Sequence, residues 1–314
     1  MAVLTSAELD SIVHHRSLDD ALQDWSSDVG LYFETTIPKI ASGFYADFTR
    51  DHPDELRRLV GRAAGVFIYA RVAVNSLSTY DDHPEEQFAL LLSREGGAGL
   101  SPLGALYFQV LRSAFPPADL HGAPSRQERL RLLLHFIVAQ SRLLHPTQLA
   151  LLGSGSSQMS EEDVVRMVDR LHSVLLINQG GEVTPLHATF RKFLLDSKRC
   201  VDLLYHVNKA KGEVFLALGC LVAFSVKNVT DFLANPDSAM GEYVMHATLS
   251  WSEHCRKAQY DEELENRLRT FVQSDVQAVY QRLRQRIVKS LNTLLILQVA
   301  EFLQVSNEPL FCIY

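Results

Sequence analysis

The chain has 314 residues, 47% of them hydrophobic and 21% charged, with a formal net charge of −7. This is globular composition long enough for two or three packed units, and it excludes wholesale disorder and collagen-like repetition. Residues 1–100 carry 8 basic against 16 acidic side chains, residues 101–200 carry 11 against 8, and the remainder 11 against 13. No block has the basic excess of a phosphate-binding surface, so nucleic acid is disfavoured as a partner.

Leu is abundant while Gly (16) and Pro (11) are scarce, which predicts a mainly α fold. Residues 1–18 read as an N-terminal tail. Residues 19–40 carry Leu22, Trp25, Val29, Leu31, Tyr32 and Phe33 at amphipathic spacing. Pro53 suits a first helical turn, with Asp54 and Glu55 at the positive end of the dipole, and one long helix is expected over 54–77. Glu95-Gly-Gly-Ala-Gly99 then breaks the pattern, so the first domain is drawn as 19–99.

Residues 100–200 read as a second domain. Ser101 is a candidate N-cap for Pro102–Phe115, and Ser125 for a helix through Gln140. Pro146 opens a short helix to Leu152, and Gly153-Ser-Gly-Ser-Ser157 is a loop. Ser160 with Asp163 three residues on forms a capping box for a helix through His172. Two short apolar runs around Gly180-Gly181 predict a β-hairpin, with Val174, Leu176, Val183 and Leu186 on its packed face. Three helices followed by a two-stranded wing is the winged-helix order. A further helix over 188–196 should bury Phe190, Phe193 and Leu194, at i, i+3 and i+4.

From residue 201 to about 305 only helical pattern remains, expected at 202–224, 229–234, 240–257, 260–274 and 276–304 and packed as a bundle. Residues 306–314 read as a tail. Cys200, Cys220, Cys255 and Cys312 lie 20, 35 and 57 residues apart, with no Cys-x-x-Cys pair. Free thiols in a reducing compartment fit this spacing, and it implies neither a disulfide framework nor a zinc site. No basic segment followed by an apolar run opens the chain, and Leu291–Val305 is too short and polar to span hydrocarbon. A cytoplasmic protein without membrane partners is expected.

Catalytic signals are thin. No Gly-Lys-Ser or Gly-Lys-Thr occurs, and Asn178-Gln179 follows the Val174–Ile177 strand where a magnesium-binding carboxylate would be wanted. Gly153–Ser157 lacks the nucleophile-elbow pattern. His14-His15 are adjacent, not at the i, i+4 spacing of a helical metal site, and the acidic run at 81–86 reads as solvated charge. No enzyme, catalytic residue, cofactor or metal is expected. The helices at 146–152 and 163–172 could lie in a groove of DNA, but Glu161, Glu162, Asp163 and Asp169 would repel phosphate. Arg282, Arg286 and Lys289 form one basic stripe, the signature of an ordinary soluble surface.

Several segments together resemble the NACHT-type NTPases of the fungal signal-transducing ATPase class, especially the basidiomycete proteins. Leu59-Val-Gly-Arg-Ala-Ala-Gly-Val-Phe-Ile-Tyr-Ala70 looks like the family's L-V-x-x-A-x-G-L-F-I-Y-A-A helix. Pro102–Tyr107 with Gln109-Val-Leu111 is similar to P-L-x-x-L-Y-x-Q-I-L, and Pro146–Gly153 resembles P-L-S-x-x-x-L-A-x-L-L-G. Leu171-His-Ser-Val-Leu175 followed by Thr184–Cys200 looks like L-x-S-V-L … V-x-P-L-H-x-S-F-x-D-F-L-x-D-x-x-R-C.

The resemblance implies a helical subdomain, a winged helix and a C-terminal helical domain that couple nucleotide state to assembly. It places His187 at the histidine of the winged-helix sensor motif, which approaches nucleotide phosphates in that family. Here the triplet is Leu186-His187-Ala188, without the family's acidic third position, and Phe67 stands where the family has proline. The phosphate-loop half has no counterpart in these 314 residues, so His187 meets no nucleotide within the chain, and its plainest role is a part-buried histidine bonded to backbone. The implied function is a non-catalytic regulatory module whose partners are NACHT or repeat-containing proteins, or a second copy. The alternatives are an ATPase completed by another chain or by upstream sequence, and a winged-helix nucleic-acid binder.

Overall fold

The computed structural model describes residues 22–40, 43–78, 84–93, 101–140 and 142–273. Among them the chain is mainly α: fifteen α-helices and one two-stranded antiparallel sheet. No helix among the described residues is long and apolar enough to cross a membrane. The helix expected over 276–304, the basic stripe at 282–289, the acidic residues 81–83, both tails and the expected boundary at 95–99 lie outside the described residues. Contacts divide the chain into two compact units, which part at Ser113–Ala114, with His172–Val174 joining the first.

The first unit opens with α1 (Leu22–Thr36), two 3-10 turns, and α2 (Phe48–Asp51). The single helix expected over 54–77 is two, α3 (Pro53–Ala63) and α4 (Phe67–Leu77). Ala64 (φ 47°) and Gly65 (φ 74°) both adopt the left-handed conformation, and the Ala64 amide donates to the Val60 carbonyl. Glycine bears that φ without penalty, so Gly65 terminates a helix that hydrophobic periodicity alone would continue. Pro53 does start α3, with Asp54 and Glu55 in its first turn. Phe48 anchors an aromatic cluster, stacked on His52 at 4.8 Å and tilted on Phe88 of α5 (Pro84–Leu92) at 4.3 Å. Ser101 caps α6 (Pro102–Ala114), its hydroxyl accepting from the Gly104 amide at 3.2 Å.

The second unit opens with the short α7 (Pro117–His121), followed by α8 (Pro124–Ala139). Proline, with its fixed φ, opens α8 at Pro124, so Ser125 is not its cap. All of Leu132–Ala139 is buried. Then come α9 (Pro146–Gly153) and α10 (Glu161–Arg170). Ser160 and Asp163 close a reciprocal capping box, each side chain accepting from the other's amide at 3.1 Å. The helix stops at Arg170, and a turn leads into β1 (Leu175–Ile177), which pairs with β2 (Val183–Pro185) in the register Leu175–Pro185, Leu176–Thr184, Ile177–Val183. Gly181, at φ 79°, makes the turn possible, and Leu144 bridges to Val183 from the far side. Val174, Leu175 and Val183 are the buried hairpin residues; Leu176 and Leu186 are half-buried, because the strand alternation places Leu175, not Leu176, inward.

The helix α11 (Ala188–Leu195) buries Phe190, Phe193 and Leu194. The pattern expected to be helical from 202 becomes so only at α12 (Lys209–Ala223), where the Asn208 side chain accepts from the Lys211 amide at 3.2 Å. Before it, Asp202 accepts from the Leu204 amide and its carbonyl from the Tyr205 amide, holding a turn that competes with helix. The remaining helices are α13 (Val226–Ala234), α14 (Ala239–Lys257) and α15 (Glu262–Gln273). α12 is the centre of the unit and packs on α8, α9, α14 and α15.

His135, on α8, is buried edge-on to Phe215 at 5.3 Å, with Nδ1 2.7 Å from the Arg131 carbonyl. Burial pushes its pKa down to about 4, helped by the nearby positive groups Arg131, Lys211 and His206 and opposed by the backbone bond. The unfolded chain therefore takes up this proton first, and acid favours unfolding between the ordinary value near 6.5 and about 4. His135→Phe should abolish this term. Relative to wild type, its stability should rise as pH falls through that window by about 3 kcal/mol, and stay constant above pH ~7.5. Urea unfolding of both proteins across pH checks the difference.

Candidate functional site

Two features carry chemistry beyond apolar packing. The first is His187, singled out by its motif. It is exposed, not part-buried as expected, because it is the N-cap residue of α11 and its extended backbone (φ −153°, ψ 148°) turns the ring outward. Its Nδ1 accepts from the Thr189 amide at 3.2 Å and lies 2.8 Å from the Thr189 hydroxyl. An imidazole accepting at Nδ1 carries its proton on Nε2 when neutral.

The second feature lies in the second unit, where α12 and α14 run antiparallel. Glu213, near the start of α12, meets His254 near the end of α14, while the Gly219 carbonyl accepts from the Tyr243 hydroxyl at 2.6 Å. Glu213 and Cys220 are seven residues apart and so share one face of α12. His246 and His254 are eight apart on α14. The pairing of the two helices brings the four together.

Cys220, His246 and His254 each present a ligand atom, and these atoms lie within 4.8 Å of one another. All three residues are buried, as is Glu213 at 1% exposure. Glu213 Oε2 sits 2.7 Å from His254 Nδ1. A carboxylate accepts, so Nδ1 is the donor in the neutral ring and Nε2 keeps its lone pair. That Nε2, both ring nitrogens of His246 and Glu213 Oε1 have no hydrogen-bond partner among the described residues. Four unsatisfied buried polar atoms in one place are costly unless something fills the site.

The electrostatics favour neutral donors. Burial pushes the His246 pKa down to about 3, with His254 and Arg142 adding to the effect, so its ring is uncharged at pH 7. Burial and the neighbouring Cys255 thiol push the Cys220 thiol up, and burial raises Cys255 and Cys200 to about 12. None of these three thiols is a reactive thiolate as it stands. Cys200 and Cys220 are buried and free, as their spacing suggested.

Sequence reading saw none of this cluster. Its ligands are 26 and 8 residues apart, match no metal motif, and converge only through the packing of α12 on α14. The one available signal was a buried-pattern helix carrying Glu213 among Val214, Phe215 and Leu216, a charge that needs a partner.

Comparison of the chain with protein-family models, with curated proteins and with solved structures finds no match in any of the three.

Proposed function

We propose that the chain is a non-catalytic regulatory module acting through protein contacts, akin to the part of a NACHT-type switch that follows its nucleotide site. The observation that carries this reading is the order of elements from Pro124 to Pro185. Helix α8, the bridging residue Leu144, helices α9 and α10, strand β1, a tight turn and strand β2 follow one another as in a winged-helix unit. Leu144 forms an isolated bridge to Val183, the same residue that pairs with Ile177 across the hairpin, at the place in the chain where winged-helix units carry a first strand.

His187 stands directly after that hairpin, exposed and with its Nε2 edge unused by the cap. A histidine that senses phosphate on another protein has to be reachable in this way. The partners of such a module are NACHT-bearing or repeat-containing proteins, or a second copy, and it works in the cytoplasm. In this mechanism the winged-helix unit is a bistable element, biased by the nucleotide state of the partner.

Size-exclusion of the full chain with a NACHT NTPase half, with and without ADP, tests it. Wild type should co-elute in a nucleotide-dependent manner, and His187→Ala should lose that dependence while staying folded, with only the small loss of stability of a missing cap. Identical elution of both proteins in both conditions would remove the sensor role, and ATP hydrolysis by the chain alone would overturn the non-catalytic reading.

A further inference from the structure

A metal centre in the second unit does not follow from the regulatory reading and stands independently of it. We propose that Cys220, His246 and His254 bind a zinc ion that fastens α12 to α14, with Glu213 as the positioning carboxylate behind His254.

Donor chemistry comes first. One sulfur and two imidazole nitrogens form a borderline-soft set suited to zinc, which has no d-electron preference of geometry and accepts a site set by helix packing. Three protein ligands leave one position of a tetrahedral ion to water. The Glu213–His254 bond is the carboxylate–histidine arrangement that fixes the ring and raises the basicity of the free nitrogen in metal sites. Both ring nitrogens of His246 are buried without a hydrogen-bond partner among the described residues, so a lone pair there is open to an ion.

Charge closes the argument. A buried dication is costly alone, but a Cys220 thiolate and the Glu213 carboxylate bring the formal sum to zero. As the Zn–S bond forms, the Cys220 S–H bond breaks and its proton leaves to solvent; no electron is transferred. The same ion would meet the lone pairs left open on His254 Nε2 and one His246 nitrogen. Ligand atoms around tetrahedral zinc are about 3.3–3.6 Å apart. Ligand atoms as far as 4.8 Å apart therefore draw inward by about an ångström, a movement within reach of side-chain torsions.

Sequence position explains the economy of the site. α12 gives Cys220 and Glu213 from one face, α14 gives both histidines, and the ion needs no loop. An ion there would act as a staple between α12 and α14, and binding free energy would appear as folding free energy.

The test uses the full chain, stripped with chelator and titrated with zinc chloride and cobalt chloride. Wild type should take up about one equivalent of zinc with a raised melting temperature, reversed by chelator. Cobalt should give the visible bands of a tetrahedral ion and a near-ultraviolet thiolate charge-transfer band. Cys220→Ser should lose the charge-transfer band, Cys255→Ser should keep it, and Glu213→Gln should retain the stoichiometry with roughly 10–100-fold weaker affinity. The wild-type and Cys255→Ser measurements stand even where Cys220→Ser fails to fold. Wild type without zinc uptake, a melting temperature indifferent to zinc and chelator, a cobalt spectrum lacking thiolate character, or selective uptake of copper with an intense visible band would each overturn the proposal.

Discussion

Gly219→Ala should lower the stability of the second unit by about 3 kcal/mol or more, read as a loss of the urea midpoint. A Cβ at this position would lie 2.3 Å from the Leu152 carbonyl oxygen and 2.8 Å from its Cα. These are backbone atoms of α9, and they cannot swing aside as a side chain can. Relief requires α9 and α12 to part, and α12 packs simultaneously on α8, α14 and α15. Gly155 makes the same crossing from the other side, since its Cβ would meet the Gly219 amide nitrogen at 2.8 Å. Separation would also disturb the Gly219 carbonyl that accepts from Tyr243, and through it the register that brings Cys220 towards His246. Gly61→Ala is the contrasting case in the first unit. Gly61 is inside α3 with nothing within 4 Å of an added Cβ, so alanine should stabilise by about 0.5–1 kcal/mol. The same substitution has opposite signs because the first position is a helix crossing and the second an open helix face.

That contrast shows what the sequence can and cannot convey. Start signals are local chemistry, so Pro53, Ser101 and the Ser160–Asp163 box are legible residue by residue and act as caps or first-turn residues. The hairpin is legible because Gly180-Gly181 between apolar runs has few other uses. The stop at Ala64–Gly65 was hidden by continuous apolar spacing, although Gly65 was its signal. The late start of α12 was hidden in the same way, since Asp202 and Asn208 offer competing backbone bonds inside an apolar stretch. His187 was found through its motif, yet its exposure follows from the cap geometry of α11, which no motif encodes. The Cys220–His246–His254 cluster is the extreme case. Each residue reads as an ordinary core or helix-face position, and only the antiparallel pairing of two helices makes them neighbours.

Phe193→Ala should cost about 3–5 kcal/mol, as truncation of a buried aromatic does when the cavity cannot collapse. Phe193 is 2% exposed, Phe190 and Leu194 are fully buried, and the helix that carries them packs on α8 and β2. The loss should therefore reach the hairpin as well as α11, so amide exchange should accelerate at Val183 and in residues 188–195 together. Leu195, on the outer side of the same helix at 39% exposure, should tolerate alanine with little change. His187→Ala removes an N-cap acceptor and should cost about 1 kcal/mol, within the usual range for such caps. The order Phe193 well above His187, and His187 above Leu195, separates packing from capping on one short helix. It also sets the condition for the sensor test. A substitution worth about 1 kcal/mol leaves the unit folded, so a nucleotide-dependent change in assembly caused by His187→Ala reports contact with a partner and not collapse of the hairpin. Were His187→Ala instead as damaging as Phe193→Ala, the histidine would be part of the core of the hairpin, and its exposed Nε2 edge would have no role in recognition.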